Sequence, residues 1–415
     1  MRPRTLAVLG VIFLLAGGLA VAAFTTNQRA GSEMTTMWVS DTAREIGGNH
    51  HAPAAGRMQG TGMVYAPISG RSDTPNCALV ALNGSTGSKR WSYPVPAPNC
   101  TIHSVADPTL ADFDSDGTTE VIATTTEQTV AAYHPITGDV EFRHNLTSYG
   151  YTKPIVADFV GDSRPEIIVV DVEGTVFVLN PNGTAVWSKQ LSSYTWGQPA
   201  VADFDGDSNP ELTVATGGTG RLYVFEQNGS MAWKQPQSYE GSITWMTTGN
   251  ADADDAVETV VATASTGRVS MVDGASGKRE WTRNLGSYAA VHAFGDGDGD
   301  GEPEVYAVAK DGTLRSLDAA TGDTEWTTTL TPGDVQMMPP PALGDVDGDG
   351  SPELVAVTND GIVSVVDPES GSISDSHERE TAIYTHPRLG DIDGDGDLEA
   401  FVMYADGRVV AFDFN

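Results

Sequence analysis

The chain has 415 residues, of which 56 are acidic and 23 basic, giving a formal charge of −33 at pH 7. Only six residues are lysine. With no basic cluster to neutralise phosphates, the composition argues against nucleic acid as a partner.

In chain order, Arg2 and Arg4 precede an apolar run from Thr5 to Phe24. That run is longer than the ~7–15 residues of a signal-peptide core and close to the ~20 that cross a bilayer. Two arginines on the short N-terminal side place that end inside. The reading favours an uncleaved membrane anchor with the rest of the chain outside. Ala20-Val21-Ala22 keeps a cleaved signal peptide, and hence a secreted protein, as the alternative. Residues 25–35 read as a polar linker.

From residue 36 onward one unit repeats. In the stretch 154–191, strand a is Pro154 to Ala157, followed by an acidic loop. Strand b is Ile167 to Val170, a Glu173-Gly174 turn leads to strand c at Thr175 to Leu179, and Asn182-Gly183 leads to strand d around Trp187. Both turns are hairpin signals. The b–c turn recurs as Asp311-Gly312, Asp360-Gly361 and Asp406-Gly407, the c–d turn as Thr137-Gly138, Ser276-Gly277 and Thr321-Gly322.

The acidic loop follows the pattern DxDxDGxxE and begins at 112, 158, 203, 250, 296, 345 and 391. Five copies are intact: Asp112, Asp114, Asp116 and Glu120; Asp203, Asp205, Asp207 and Glu211; Asp296, Asp298, Asp300 and Glu304; Asp345, Asp347, Asp349 and Glu353; Asp391, Asp393, Asp395 and Glu399. Two are weaker. Asp158, Asp162 and Glu166 flank Val160 at the third position, and Asn250 replaces the first aspartate ahead of Asp252, Asp254 and Glu258. Calcium takes six to eight oxygens at ~2.3–2.6 Å, which alternating carboxylates around a tight turn provide. Gly117, Gly301, Gly350 and Gly396 allow the bend at position 6. The closing glutamate, at position 9, opens strand b. Up to seven ions are expected, with the sites at 158 and 250 the weakest.

These loops resemble the FG-GAP type calcium-binding repeat of integrin α-subunit propellers and of many secreted microbial proteins, over residues 36 to 415. The resemblance implies an all-β propeller, and a repeat of 45 to 49 residues is the period of one blade. Strand d carries an aromatic at Trp38, Trp91, Phe142, Trp187, Trp233, Trp281 and Trp326, with a non-aromatic copy near Ser372 to His377. That makes eight blades, with seven, from the loop count, as the alternative. The first blade has Arg57, Gln59 and Thr61 where ligands should be. The last ends after its c strand, so the segment around Trp38 is expected to supply its fourth strand and close the ring. One tryptophan per blade reads as packing between neighbouring sheets. It also resembles the repeats of eight-bladed pyrroloquinoline quinone dehydrogenases, but the adjacent cysteine pair typical of those enzymes is missing.

The two cysteines, Cys77 and Cys100, flank one hairpin and are expected to form a disulfide. Sequons at Asn83, Asn99, Asn145, Asn182 and Asn228 fall in turns or near strand ends. Few lysines and many aspartates and threonines resemble haloarchaeal surface proteins.

Antiparallel order places the a–b and c–d turns on one face and the b–c and d–a connections on the other. The d–a connections carry aromatics and methionines, among which Tyr151, Trp196, Trp245, Met338 and Tyr384 form the candidate recognition surface for a glycan or a surface protein. Eight histidines lie scattered apart from His50-His51. No HExxH or GxSxG motif is present, and no catalytic residue is assigned. The expected role is binding, adhesion or envelope assembly outside the cell membrane. A calcium-dependent polysaccharide lyase and a quinone-dependent dehydrogenase are the enzyme alternatives.

Overall fold

The computed structural model describes residues 33–252 and 254–414. The expected membrane segment and the linker up to residue 32 lie outside the described residues. No helix among the described residues is long and apolar enough to cross a membrane.

Eight antiparallel four-stranded sheets form the blades of a propeller, which decides between eight and seven. Within a blade the burial pattern follows strand position. The b and c strands lie between neighbouring sheets and are buried on both faces, as in Glu120–Thr125, Thr129–Tyr133, Glu166–Val170 and Thr175–Leu179. Hence their near-continuous apolar sequence rather than alternation. The d strands, such as Ala185–Gln190 and Thr324–Thr329, alternate exposed and half-buried positions. Eight apolar clusters fill the molecule, each shared by two neighbouring blades.

Met34–Val39 pairs with Val409–Phe414 and completes the eighth sheet, so the first and last strands of the described residues share one blade. No long free edge remains there. In the first blade Ala54–Met58 and Thr61–Ile68 join through Gln59 and Gly60, both at positive φ (49° and 78°), so a two-residue hairpin stands where the others carry an acidic loop.

The tryptophans lock each blade to the next. The indole N–H groups of Trp91, Trp187, Trp233, Trp281 and Trp326 donate at 2.7–2.8 Å to carbonyls of the next blade's c–d turn, at Pro135, Gln227, Gly274, Ala319 and Pro368. Trp38 does the same to Gly84 across the ring closure. Each ring also lies on that turn's glycine, where a Cβ would approach within 2.5–2.9 Å at Gly87, Gly138, Gly229, Gly277, Gly322 and Gly371. Phe142 occupies the slot against Gly183 without an N–H to offer.

One expectation needs correction. Trp233 is not in a strand: the outer strand of its blade is only Gln237–Ser238. The Phe225–Met231 bridge leaves the c strand early, yet Trp233 keeps its slot because its bond to Gly274 and its ring contact with Gly277 are made by the side chain. Cys77 and Cys100 are disulfide-bonded, with Cα atoms 5.4 Å apart.

Candidate functional site

Every acidic loop ends in a glutamate that is the first residue of strand b: Glu120, Glu166, Glu211, Glu258, Glu304, Glu353 and Glu399. All seven are buried. One oxygen of each takes a backbone N–H from the loop, for example Phe204 to Glu211 at 2.8 Å and Ala251 to Glu258 at 2.6 Å. The other oxygen of Glu120, Glu166, Glu211 and Glu258 is buried without a hydrogen-bond partner. Burial pushes the carboxyls of Glu120, Glu211, Glu258, Glu304, Glu353 and Glu399 up to about 7, and nearby loop aspartates add to the shift.

Five loops, those read as intact, bring three carboxylates together with oxygens within 4.8 Å of one another: Asp112, Asp114 and Asp116; Asp203, Asp205 and Glu211; Asp296, Asp298 and Asp300; Asp345, Asp347 and Glu353; Asp391, Asp393 and Asp395. The loops at 158 and 250 are not among them. Val160 contributes only its N–H, to Glu166 at 3.1 Å, and the Asn250 amide donates to the Asp254 carbonyl at 2.8 Å. All-oxygen clusters fit a hard divalent cation, and in the loops that begin at 112 and 203 an orphaned buried glutamate oxygen accompanies the cluster.

The opposite face is built differently. Seven d–a connections, together with Thr244 and Trp245, enclose a cavity of about 280 Å³; Trp245, expected in a connection, lies instead in the strand Ile243–Gly249. Its lining includes Tyr151, Trp196, Trp245, Met338 and Tyr384, so the five residues singled out from sequence border one space, together with Tyr288 and Met337. Met338 is fully buried, whereas Trp196 and Tyr288 are 42% and 48% exposed at the rim. Tyr194 packs against Trp196 (ring centres 4.8 Å apart) and Tyr151 lies 6.3 Å from it.

Histidines that are scattered in sequence meet here. His50, His51, His103 and Asp107 line the cavity. Asp107 Oδ1 lies 2.8 Å from His51 Nδ1 and accepts the Ala52 N–H at 3.1 Å. Burial opposes ionisation of Asp107, but the His51 bond and charge, with His386 and Lys153, hold its carboxyl below the usual range. His50 stacks on Tyr384 with ring centres 4.5 Å apart. His103 lies 4.9 Å from His50 and 5.7 Å from His51. Burial, then the neighbouring His51, lowers His50 to about 4 and His103 to about 3. Around Asp107, His386 and His292 sit 4.2 Å apart, and burial lowers Lys153 to about 8 with Arg388 adding to the shift. Two of these histidine nitrogens are unsatisfied: His51 Nε2 and His103 Nδ1 are buried without a partner. The only local signal was the His50-His51 dipeptide.

This fold and repeat define a β-propeller repeat protein. Residues 126–300 match the profile described as outer membrane protein assembly factor BamB, and residues 345–402 match that of an FG-GAP-like repeat. Among solved structures, BamB from Moraxella catarrhalis superposes with a TM-score of 0.59 at 15% identity, covering 92% of this chain and all of that one. The computationally designed Ika8 protein gives 0.63 at 16% identity over 89% and 98% of the two chains. BBS1N, in complex with ARL6DN, gives 0.52 at 12% identity over 74% and 91%. At these identities the likeness establishes the fold. No curated protein matches the sequence.

Proposed function

We propose that this chain is a calcium-stabilised binding propeller, displayed outside the cell membrane or secreted, that recognises a glycan or a surface protein through its axial cavity. The observation that carries the reading is the convergence of seven d–a connections and the strand bearing Trp245 on one aromatic-lined space, with Trp196 and Tyr288 exposed at its rim. Flat rings with one free face suit sugar stacking or a protein hot spot. At about 280 Å³ the cavity is at the small end of ligand sites, room for one sugar ring or an inserted loop tip. BamB is described as an assembly factor and BBS1N was solved with a protein partner, which supports recognition of a protein. Calcium is structural in this account, since the carboxylate loops lie on the face away from the cavity.

The test is a glycan and envelope-extract binding screen on calcium-loaded protein, comparing wild type with the Tyr151→Ala/Trp196→Ala double variant. Binding lost with an unchanged melting temperature supports the reading; retained binding returns these residues to packing.

A second reading, the calcium-dependent polysaccharide lyase, gains one observation. The His51–Asp107 pair leaves Nε2 without a hydrogen-bond partner on a residue that lines the cavity, and a general base needs such a free nitrogen. Unsaturated-uronide absorbance with acidic polysaccharides, abolished by His51→Gln, would favour it.

A further inference from the structure

We propose that His50, His51 and His103 form a transition-metal site at the mouth of the axial cavity, with Asp107 as the carboxylate that orients His51. The site goes beyond the binding role above and does not depend on it.

Asp107 Oδ1 already takes the Ala52 N–H and lies 2.8 Å from His51 Nδ1, an arrangement that places the imidazole proton on Nδ1 and leaves the Nε2 lone pair free. That nitrogen is buried with no hydrogen-bond partner, on a side chain only 3% exposed. His103 Nδ1 is orphaned in the same way. Two bare nitrogens in one cluster are an unsatisfied arrangement that a Lewis acid would complete. A ligating histidine whose other nitrogen is held by a carboxylate is the recurrent design of such centres.

Spacing agrees. Imidazoles on one tetrahedral ion, with metal–nitrogen bonds of about 2.0–2.1 Å, have ring centres roughly 5 Å apart. His103 lies 4.9 Å from His50 and 5.7 Å from His51. The nitrogens are not already drawn together, since the preassembled clusters among the described residues are all carboxylate loops. Closure on an ion therefore requires the rings to move towards one another. The donor set decides the metal: imidazoles without thiolate select zinc, copper, nickel or cobalt over calcium, and both cysteines are occupied by their disulfide. The metal class thus differs between the two faces. Three protein ligands leave a fourth position open towards Tyr151, which touches both His51 and His103.

The test uses the full chain in millimolar calcium, which saturates carboxylate loops and leaves imidazoles free. Titration with Zn²⁺ by calorimetry should show one tight equivalent, and Co²⁺ should give the intense visible bands of a tetrahedral site. His51→Gln and His103→Gln should each weaken Zn²⁺ binding more than 100-fold, and Asp107→Asn by about 10–100-fold. Melting temperatures in calcium check that the variants fold, and the wild-type Co²⁺ spectrum tests the site without any substitution. No Zn²⁺ equivalent at saturating calcium, an octahedral Co²⁺ spectrum, or unchanged binding in folded His51→Gln and His103→Gln would overturn the proposal.

Discussion

The tryptophan locks give the sharpest energetic prediction, and the Trp281–Gly322 pair allows its size to be worked out. Trp281 is 7% exposed, and its indole N–H donates to the Ala319 carbonyl at 2.7 Å. A Cβ on Gly322, whose φ is +71°, would stand 2.6 Å from Trp281 Cδ2. Trp281→Phe keeps most of the ring but leaves Ala319 without that donor, at a cost of about 1–3 kcal/mol. Trp281→Ala opens the slot and costs about 3–5 kcal/mol. Gly322→Ala adds left-handed backbone strain of about 1–2 kcal/mol to overpacking of about 1–3 kcal/mol. Combining Gly322→Ala with Trp281→Ala removes the clash, so only the backbone strain is added to the cost of Trp281→Ala. The double variant should therefore be more stable than the sum of the single effects by about 1–3 kcal/mol. Urea unfolding in saturating calcium, followed by circular dichroism, measures the wild type and the four variants. Additivity within about 0.5 kcal/mol would refute the lock, because groups that do not touch add to that tolerance.

Two further predictions follow from buried charge. Glu211→Gln should lower the melting temperature in calcium, where a charged ligand is lost, and raise it in chelator. Burial pushes that carboxyl up to about 7, so its folded pKa exceeds the unfolded value near 4.5. Metal-free stability therefore falls as pH climbs through that window, and the variant should flatten the fall; the same sign of change with and without calcium would contradict this. Burial lowers Lys153 to about 8 from 10.5, so between those values the unfolded chain binds more protons and stability should rise with pH. Lys153→Met should stabilise at pH 7 and lose its advantage above about pH 10, as seen in thermal melts across that range.

Much of the fold was written locally. The loop period, the turn glycines and one aromatic per blade come from short windows, and each b strand begins at its glutamate. Ring closure was readable because the last repeat lacked a strand and the first segment offered one with Trp38. Trp233 shows the limit of that reading: the motif preserved a side-chain slot, and the strand around it was inferred from its neighbours. The two loops that gather no carboxylate triad were legible for the same local reason, since a missing carboxylate is missing wherever the loop sits. The aromatic rim could be read because every connection to one face repeats. The histidine cluster could not. His50, His51, His103 and Asp107 come from two connections about fifty residues apart, and only the curvature of the ring brings them to one axis. No periodicity marks such a meeting.

The measurement that bears most directly on the account is the calcium content of the purified chain together with its melting temperature in calcium and in chelator at matched ionic strength. At a hundredfold excess over its Kd each ion adds about 2.7 kcal/mol, so five intact loops add about 13 kcal/mol, comparable with the whole stability of a domain. The account predicts five tightly held ions and a fall of many degrees on chelation, with Asp203→Asn removing one ion. Protein that retains no calcium, or that melts at the same temperature in chelator, would contradict it.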